Sequence, residues 1–183
     1  MKDVLQKQSD ELKKALSDLK SFHAQVQTVA KELKEAFDYG HTVYVAGNGG
    51  SATQAQHLSD EMLGRYKSNR APYPVVALTA DSAAITCIAN DFGYEFVFSR
   101  QLEALGKEGD VFIGLSTSGD SPNILKAAEI AKDLGMVVIG FTAAKGKLRG
   151  VADHVIESPA ESTARIQELH LHAIHLICEL FES

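Results

Sequence analysis

Short apolar runs alternate with helical segments from residue 42 onward, and this alternation restricts the possible fold more than any other feature. The pattern predicts strands at 42–46, 74–79, 110–116, 136–142 and 151–158, with helices between them and a last helix over 161–181. Uninterrupted apolar runs are typical of strands buried on both faces. Strands that alternate with helices at this spacing favour a parallel sheet. The sequence therefore predicts an α/β fold, a doubly wound parallel sheet of five strands flanked by helices.

The first 38 residues are predicted to be helical, because apolar residues such as Leu12, Leu16, Val26 and Leu33 recur at helical spacing. One long helix and two helices broken near Ser21 both fit this pattern. We predict one domain over residues 1–183, in which 1–38 form a helical extension that packs on partner subunits.

Bulk composition argues against several functional classes. The net charge is −6 and no basic run is present, which disfavours nucleic-acid binding. No apolar run approaches the roughly 20 residues needed to cross a bilayer, and the polar N-terminus does not resemble a signal peptide. We therefore expect a cytoplasmic protein without a membrane partner. Cys87 and Cys178 lie in apolar segments, which predicts reduced, buried thiols.

Two loops that follow predicted strands have the composition of anion-binding loops. The glycine loop (residues 47–51, Gly-Asn-Gly-Gly-Ser) lies between a strand and a helix, where backbone N–H groups and the helix dipole favour an anion. The serine loop (residues 116–121) offers four hydroxyl groups and a glycine. No Gly-Lys-Ser/Thr ending or complete G-x-G-x-x-G pattern is present. The two loops predict a site for a phosphorylated small molecule, although the serine loop alone could be a helix N-cap turn.

The helix after the glycine loop carries a possible acid/base pair. His57 and Glu61 are at positions i and i+4 and therefore share one helix face, which Arg65 is expected to continue toward Glu61 or a substrate hydroxyl. An incidental surface pair is the alternative interpretation.

The last predicted helix carries Gln167, His170, His172 and His175, side chains that can bind first-row metals. A core role for the histidines is the alternative, and it is the interpretation we favour for His170 and His172.

The segment Asn90-Asp91-Phe92-Gly93 is explained by a helix end, with a substrate contact from Asp91 as the alternative.

These motifs resemble those of the sugar isomerase (SIS) superfamily, and within it the phosphoheptose isomerases. The resemblance extends over nearly the whole chain. It is carried by the glycine loop, Gln56-His57…Glu61…Gly64-Arg65-Tyr66, Asn90-Asp91-Phe92-Gly93, Phe98-Ser99-Arg100, Ser116-Thr117-Ser118-Gly119, and Arg165-Ile166-Gln167-Glu168 with His175.

The resemblance implies a flavodoxin-like SIS fold and an aldose–ketose isomerase that interconverts sedoheptulose 7-phosphate and D-glycero-D-manno-heptose 7-phosphate, the first step of bacterial ADP-heptose synthesis. It also implies a homotetramer with one zinc ion per subunit, held by His57, Glu61, Gln167 and His175. The expected substrate contacts are Asn48, Gly49, Gly50, Ser51, Glu61, Arg65, Asn90, Asp91, Ser116, Thr117, Ser118, Ser121 and Gln167.

Two positions depart from the family pattern. Ala164 stands where some members have an acid, so no carboxylate can act there. Asp120 stands where Asn is frequent, and its charge would oppose phosphate binding unless it points away.

For an enediolate mechanism, we expect Glu61 to abstract the carbon-bound proton and His175 to move the second proton. Gln167 and His175 are eight positions apart, about 12 Å along a helix. We therefore predict that one of them reaches the metal from a neighbouring subunit, which places the active sites at subunit interfaces.

Two alternatives from other functional classes remain. One is a non-catalytic SIS protein that binds phosphosugars or associates with a replication initiator. The other is a structural tetramer whose histidines only fill the core.

Overall fold

Five strands form one sheet at the centre of the computed structural model, which describes residues 2–183. They are β1 (Val43–Gly47), β2 (Val75–Ala77), β3 (Val111–Leu115), β4 (Val137–Ala143) and β5 (His154–Ser158). The order is β2-β1-β3-β4-β5 and every neighbouring pair is parallel. The predicted doubly wound five-stranded sheet is confirmed, and this order is that of flavodoxin-like folds.

Helices connect the strands and cover both faces of the sheet. They are α1 (Lys2–Leu16), α2 (Lys20–Asp38), α3 (Gly50–Leu63), α4 (Ser82–Phe92), α5 (Ser99–Leu105), α6 (Pro122–Asp133), α7 (Leu148–Val151) and α8 (Thr163–Phe181), with a 3₁₀ turn at Tyr94–Phe96. The N-terminal segment is thus two helices rather than one. The fifth strand begins later than predicted, because residues 148–151 form α7. Among residues 2–183, no helix combines the length and apolar character that crossing a bilayer requires.

Side chains that alternate along the strands divide the core into two layers. Val45 and Ile113 point to the layer formed with α2, α3 and α8, whereas Tyr44 and Phe112 point to the layer with α5 and α6. All four are buried. Because both faces are covered, the strands are apolar throughout, as the sequence pattern predicted.

The two N-terminal helices differ in how they are packed. α2 buries Phe22, Val26 and Leu33 in the core of this chain. α1 leaves Val4 and Leu5 exposed by 63% and 70%. The prediction that the N-terminal part packs on partner subunits stays a prediction, and α1 carries the apolar surface available for it.

The sheet places the glycine loop and the serine loop next to each other. Strands β1 and β3 are neighbours, with Gly47 opposite Leu115 at their carboxyl ends, and their following helices leave in opposite directions along the strand order. This is the topological switch point, where open α/β sheets bind ligands.

His170 fills the core, as favoured from the sequence. It is fully buried and its ring meets Phe141 edge-on at 5.8 Å. Burial lowers the pKa of His170 to about 4. His172 is half-buried and its ring stacks on Phe22 at 6.1 Å, which is also a packing role.

The buried imidazole of His170 makes the fold sensitive to acid. The unfolded chain binds a proton at His170 below about pH 6.5, whereas the folded chain does not until about pH 4, so stability falls as pH drops through this interval. We predict that the free energy of unfolding falls by about 2 kcal/mol less in His170→Leu than in the parent protein when the pH drops from about 7 to about 5. Urea unfolding at both pH values measures this, with the exposed His23→Gln as control. An unchanged pH dependence in His170→Leu would contradict the prediction.

Candidate active site

The glycine loop needs glycine at three positions for different reasons. Gly49, the residue before α3, has φ of 55°, a conformation that side chains with a Cβ rarely adopt. A Cβ at Gly47 would lie 2.5 Å from the Ser51 carbonyl oxygen. A Cβ at Gly50 would lie 2.8 Å from the Gln167 side-chain amide. The loop therefore turns tightly from β1 into α3 and leaves room for a side chain of α8.

The serine loop gathers hydroxyl groups at the carboxyl end of β3. The Oγ of Ser116 lies 3.0 Å from that of Ser121 and 3.4 Å from that of Ser118. The N–H of Gly119 donates to Ser116 Oγ at 3.1 Å. Pro122 takes the first position of α6, as helix N-termini favour. Hydroxyl donors beside a helix N-terminus form a suitable site for a phosphate.

Asp120 does not add its charge to the hydroxyl groups. Its carboxylate accepts a hydrogen bond from the N–H of Lys147 at 3.0 Å, in the segment before α7. Asp120 is therefore compatible with an anion at the serine loop, because its carboxylate is hydrogen-bonded to the segment before α7.

A pair of asparagines connects the glycine loop to the first turn of α6. Asn48 Nδ2 donates to Asn123 Oδ1 at 2.9 Å, and Asn123 Nδ2 donates back to Asn48 Oδ1 at 2.8 Å. The hydroxyl of Tyr94 donates to the same Asn48 oxygen at 2.9 Å. Asn123 is only 2% exposed. Neither Asn123 nor Tyr94 was predicted, because their role depends on a contact between distant segments.

Helices α3 and α8 bring together three of the predicted metal ligands, His57, Glu61 and His175. The Nε2 atoms of His57 and His175 are 3.0 Å apart, and Glu61 Oε1 lies 3.5 Å from His57 Nε2. One donor atom from each of His57, Glu61 and His175 lies within 4.8 Å of the others. We call these residues the His–Glu–His cluster.

The His–Glu–His cluster fits a metal ion by its donor set and spacing. Two zinc ligands with bonds of about 2.0 Å are about 3.3 Å apart on a tetrahedron, which is close to the separation of the two imidazoles. Burial, followed by the nearby His57, lowers the pKa of His175, against the opposite effect of Glu61. A neutral imidazole is the form that binds metal or accepts a proton.

Gln167 lies elsewhere on α8. Its side-chain amide lies against Gly50, and its backbone carbonyl oxygen accepts a hydrogen bond from the Gln54 side chain at 2.6 Å. Gly50 thus faces Gln167 as His57 faces His175, so α3 and α8 run in the same direction. Gln167 is next to the glycine loop, about two helical turns from His175.

The predicted extension of the helix face to Arg65 is wrong. α3 ends at Leu63, where Gly64 donates its N–H to the Asp60 carbonyl, and Arg65 lies exposed beyond the end. Arg70 caps this helix instead, because its guanidinium donates to the carbonyl oxygens of Glu61 and Met62.

Asn90 and Asp91 lie exposed at the end of α4, where Asn90 donates to Asp91 at 2.7 Å. They precede Tyr94, whose hydroxyl reaches Asn48.

The prediction that both cysteines are buried is wrong for Cys87, which is exposed on α4. Cys178 is buried, and both cysteines are free thiols. Helix α4 (Ser82–Phe92) buries none of its side chains fully, so the apolar composition of this segment did not indicate burial.

The sequence is similar to a known domain family and to full-length proteins of that family. The SIS domain family matches residues 7–143. Phosphoheptose isomerase 1 of Campylobacter jejuni is 42% identical over 183 residues, which cover 100% of this chain and 98% of that protein. The phosphoheptose isomerase of Photorhabdus laumondii is 46% identical over 184 residues, covering 100% and 94%.

Solved structures agree with these relatives. A phosphoheptose isomerase from Francisella tularensis superposes with a TM-score of 0.92 at 33% identity, covering 98% of this chain and 96% of that chain. A phosphoheptose isomerase from Neisseria gonorrhoeae gives a TM-score of 0.87 at 34% identity, covering 99% and 97%. With the two loops at the switch point and the His–Glu–His cluster beside them, the chain belongs to the SIS domain family and, within it, to the phosphoheptose isomerases.

Proposed function

We propose that this protein interconverts sedoheptulose 7-phosphate and D-glycero-D-manno-heptose 7-phosphate by proton transfer through an enediolate, as the first step of heptose synthesis. The observation that carries the proposal is the His–Glu–His cluster, because it places a carboxylate and two imidazoles in contact on helices that begin at the ligand-binding edge of the sheet. Full-length relatives named phosphoheptose isomerase support this substrate class.

The phosphate group would bind at the serine loop. Its hydroxyl groups and the N-terminus of α6 supply donors without a lysine, which suits a sugar phosphate. The sugar would extend toward the glycine loop, where Asn48 is held by Asn123 and Tyr94. Gln167, beside Gly50, would contact the sugar at the same edge. Asn90 and Asp91, just before Tyr94, are proposed as further contacts.

Proton transfer would use two side chains of the cluster. Glu61 is 18% exposed at its side chain, so it is accessible and also partly shielded from water. It would remove the proton from the carbon next to the carbonyl and return it to the neighbouring carbon. Burial and the nearby His57 lower the pKa of His175, which favours the neutral imidazole. His175 would accept and return the proton that moves between the oxygens while its Nε2 is not bound to a metal ion.

A zinc ion, held by His57, Glu61 and His175 with Gln167, would stabilise the negative charge that develops on the substrate oxygens. The proposal of one zinc per subunit is supported by the ligand types and by the short separation of their donor atoms. Metal analysis of protein purified without chelators tests it, and a fully active metal-free sample would contradict it.

We further propose a homotetramer with active sites at subunit interfaces. Gln167 of the same chain lies beside Gly50, so a neighbouring subunit is the simpler source of a fourth ligand at the His–Glu–His cluster. The exposed apolar residues of α1 and α4 offer surfaces for such contacts.

Substitution of the proposed base tests the function. We predict that Glu61→Gln lowers the turnover of sedoheptulose 7-phosphate by about 10²–10⁴-fold, because the amide cannot accept the proton. Quantitative NMR of substrate and product measures this, with the exposed Glu129→Gln on α6 as control. Near-normal turnover in Glu61→Gln would remove it from the mechanism. A parent protein that binds the sugar phosphate but never converts it would instead support the non-catalytic alternative.

Hybrid tetramers test the interfacial site. We predict that Glu61→Gln and Gln167→Ala subunits, each inactive alone, regain turnover when they are co-expressed, because some interfaces then receive both native residues. Glu61→Gln mixed with His57→Ala is the control, since both residues lie on α3 of one chain. If Glu61→Gln/Gln167→Ala hybrids are as inactive as the control, the residues act within one chain and the proposal is wrong.

A further inference from the structure

We propose that Glu182 and Arg70 are positioning residues, which hold the segment after α3 and the last turn of α3 in place against the His–Glu–His cluster. This inference rests on the proposed function, because it assigns to the two residues an effect on the metal ligands and the base. Neither residue contacts the proposed ligand atoms directly. They act through the backbone of Glu61 and through Tyr66.

The first part of this network is an anion site formed by the backbone. The carboxylate of Glu182, directly after α8, accepts hydrogen bonds from three consecutive N–H groups, those of Tyr66 at 3.1 Å, Lys67 at 2.8 Å and Ser68 at 2.7 Å. The side chain is only 4% exposed. Successive N–H groups that converge on one carboxylate form a strong and directional anion site.

The charge state of Glu182 agrees with this geometry. Burial by itself would raise the pKa of Glu182, but the N–H donors of Ser68, Lys67 and Tyr66, together with Arg70, bring the pKa below its ordinary value. The group is therefore a carboxylate near neutral pH, and all three backbone donors are satisfied by it.

The second part is the guanidinium of Arg70, which is 12% exposed at its side chain. Its Nε lies 3.3 Å from the Glu182 carboxylate, and its two terminal nitrogens donate to the carbonyl oxygens of Glu61 at 2.7 Å and Met62 at 2.9 Å. Arg70 thus connects the end of α8 to the residue whose carboxylate belongs to the cluster. A lysine could not make these contacts together, because only guanidinium has donors fixed in a planar fork.

The third part is Tyr66, which lies in the segment held by Glu182. Its ring stacks on the ring of His175 with centroids 5.7 Å apart and an angle of 28° between the planes. His175 also contacts His57, and their Nε2 atoms are 3.0 Å apart. A displacement of the 66–68 segment would therefore shift the Tyr66 ring that packs on His175.

These contacts predict an effect on metal affinity and turnover with little effect on phosphate binding. The serine loop is at the carboxyl end of β3 and makes none of these contacts, so the KM for the sugar phosphate should stay within about twofold. Changes to groups that orient metal ligands typically cost about 10–100-fold in metal affinity or activity.

The test compares Glu182→Gln and Arg70→Lys with Glu179→Gln in the zinc-loaded protein. Glu179 is a suitable control, because it lies in the last turn of α8 and pairs with Lys67 but is 51% exposed at its side chain. Zinc affinity is measured by competition with a chromogenic chelator, kcat and KM with sedoheptulose 7-phosphate, and folding by thermal unfolding. We expect zinc affinity and kcat to fall at least about 10-fold in Glu182→Gln and Arg70→Lys, and to match the parent in Glu179→Gln.

Two outcomes would overturn the inference. One is parent-like zinc affinity and kcat in both variants, even with a lower melting temperature, since the network would then only stabilise the fold. The other is an equal loss in Glu179→Gln. Arg70→Lys keeps the test valid if Glu182→Gln does not fold. A parent protein without zinc or turnover would overturn the proposed function itself, a result that is distinct from parent-like variants.

Discussion

The contact between His57 and His175 is the interaction on which the site depends. Their Nε2 atoms are 3.0 Å apart and Glu61 is beside them, although the residues come from helices more than a hundred positions apart in sequence. Two charged imidazoles would repel each other at this distance, so the pair requires a proton shared between them or a metal ion. Burial, and after it the nearby His57, lowers the pKa of His175. Stable packing of α3 beside α8 makes the contact possible.

The rest of the fold provides that packing. Strands β1 and β3 place the glycine and serine loops side by side, and Gly50 lets Gln167 approach the start of α3. At the other end of the same helices, Arg70 and Glu182 connect the last turn of α3 to the end of α8. The glycine loop and the His–Glu–His cluster are thus fixed relative to each other by α3 and α8, which run in the same direction, and the pairing of β1 with β3 places the serine loop beside the glycine loop.

The sequence predicted the sheet and much of the candidate site because those features have local signals. Apolar runs at regular spacing predicted all five strands, and the i, i+4 spacing predicted that His57 and Glu61 share a face. The predictions were wrong or incomplete where contacts between distant segments determine the structure. The end of α3 at Leu63 is stabilised by Arg70, which lies beyond the helix, so periodicity alone extended the helix to Arg65. Asn123, Tyr94 and Glu182 carry no motif, since each is defined only by its partner from a distant segment.

The central claim is that the His–Glu–His cluster transfers a proton between carbons of a sugar phosphate bound at the switch point. NMR of sedoheptulose 7-phosphate incubated with the zinc-loaded protein in D₂O tests it most directly. A carboxylate that carries the proton exchanges it with solvent, so we predict an aldose product with deuterium on the carbon next to the aldehyde. No turnover, or an aldose that retains all carbon-bound hydrogen of the substrate, would contradict this account.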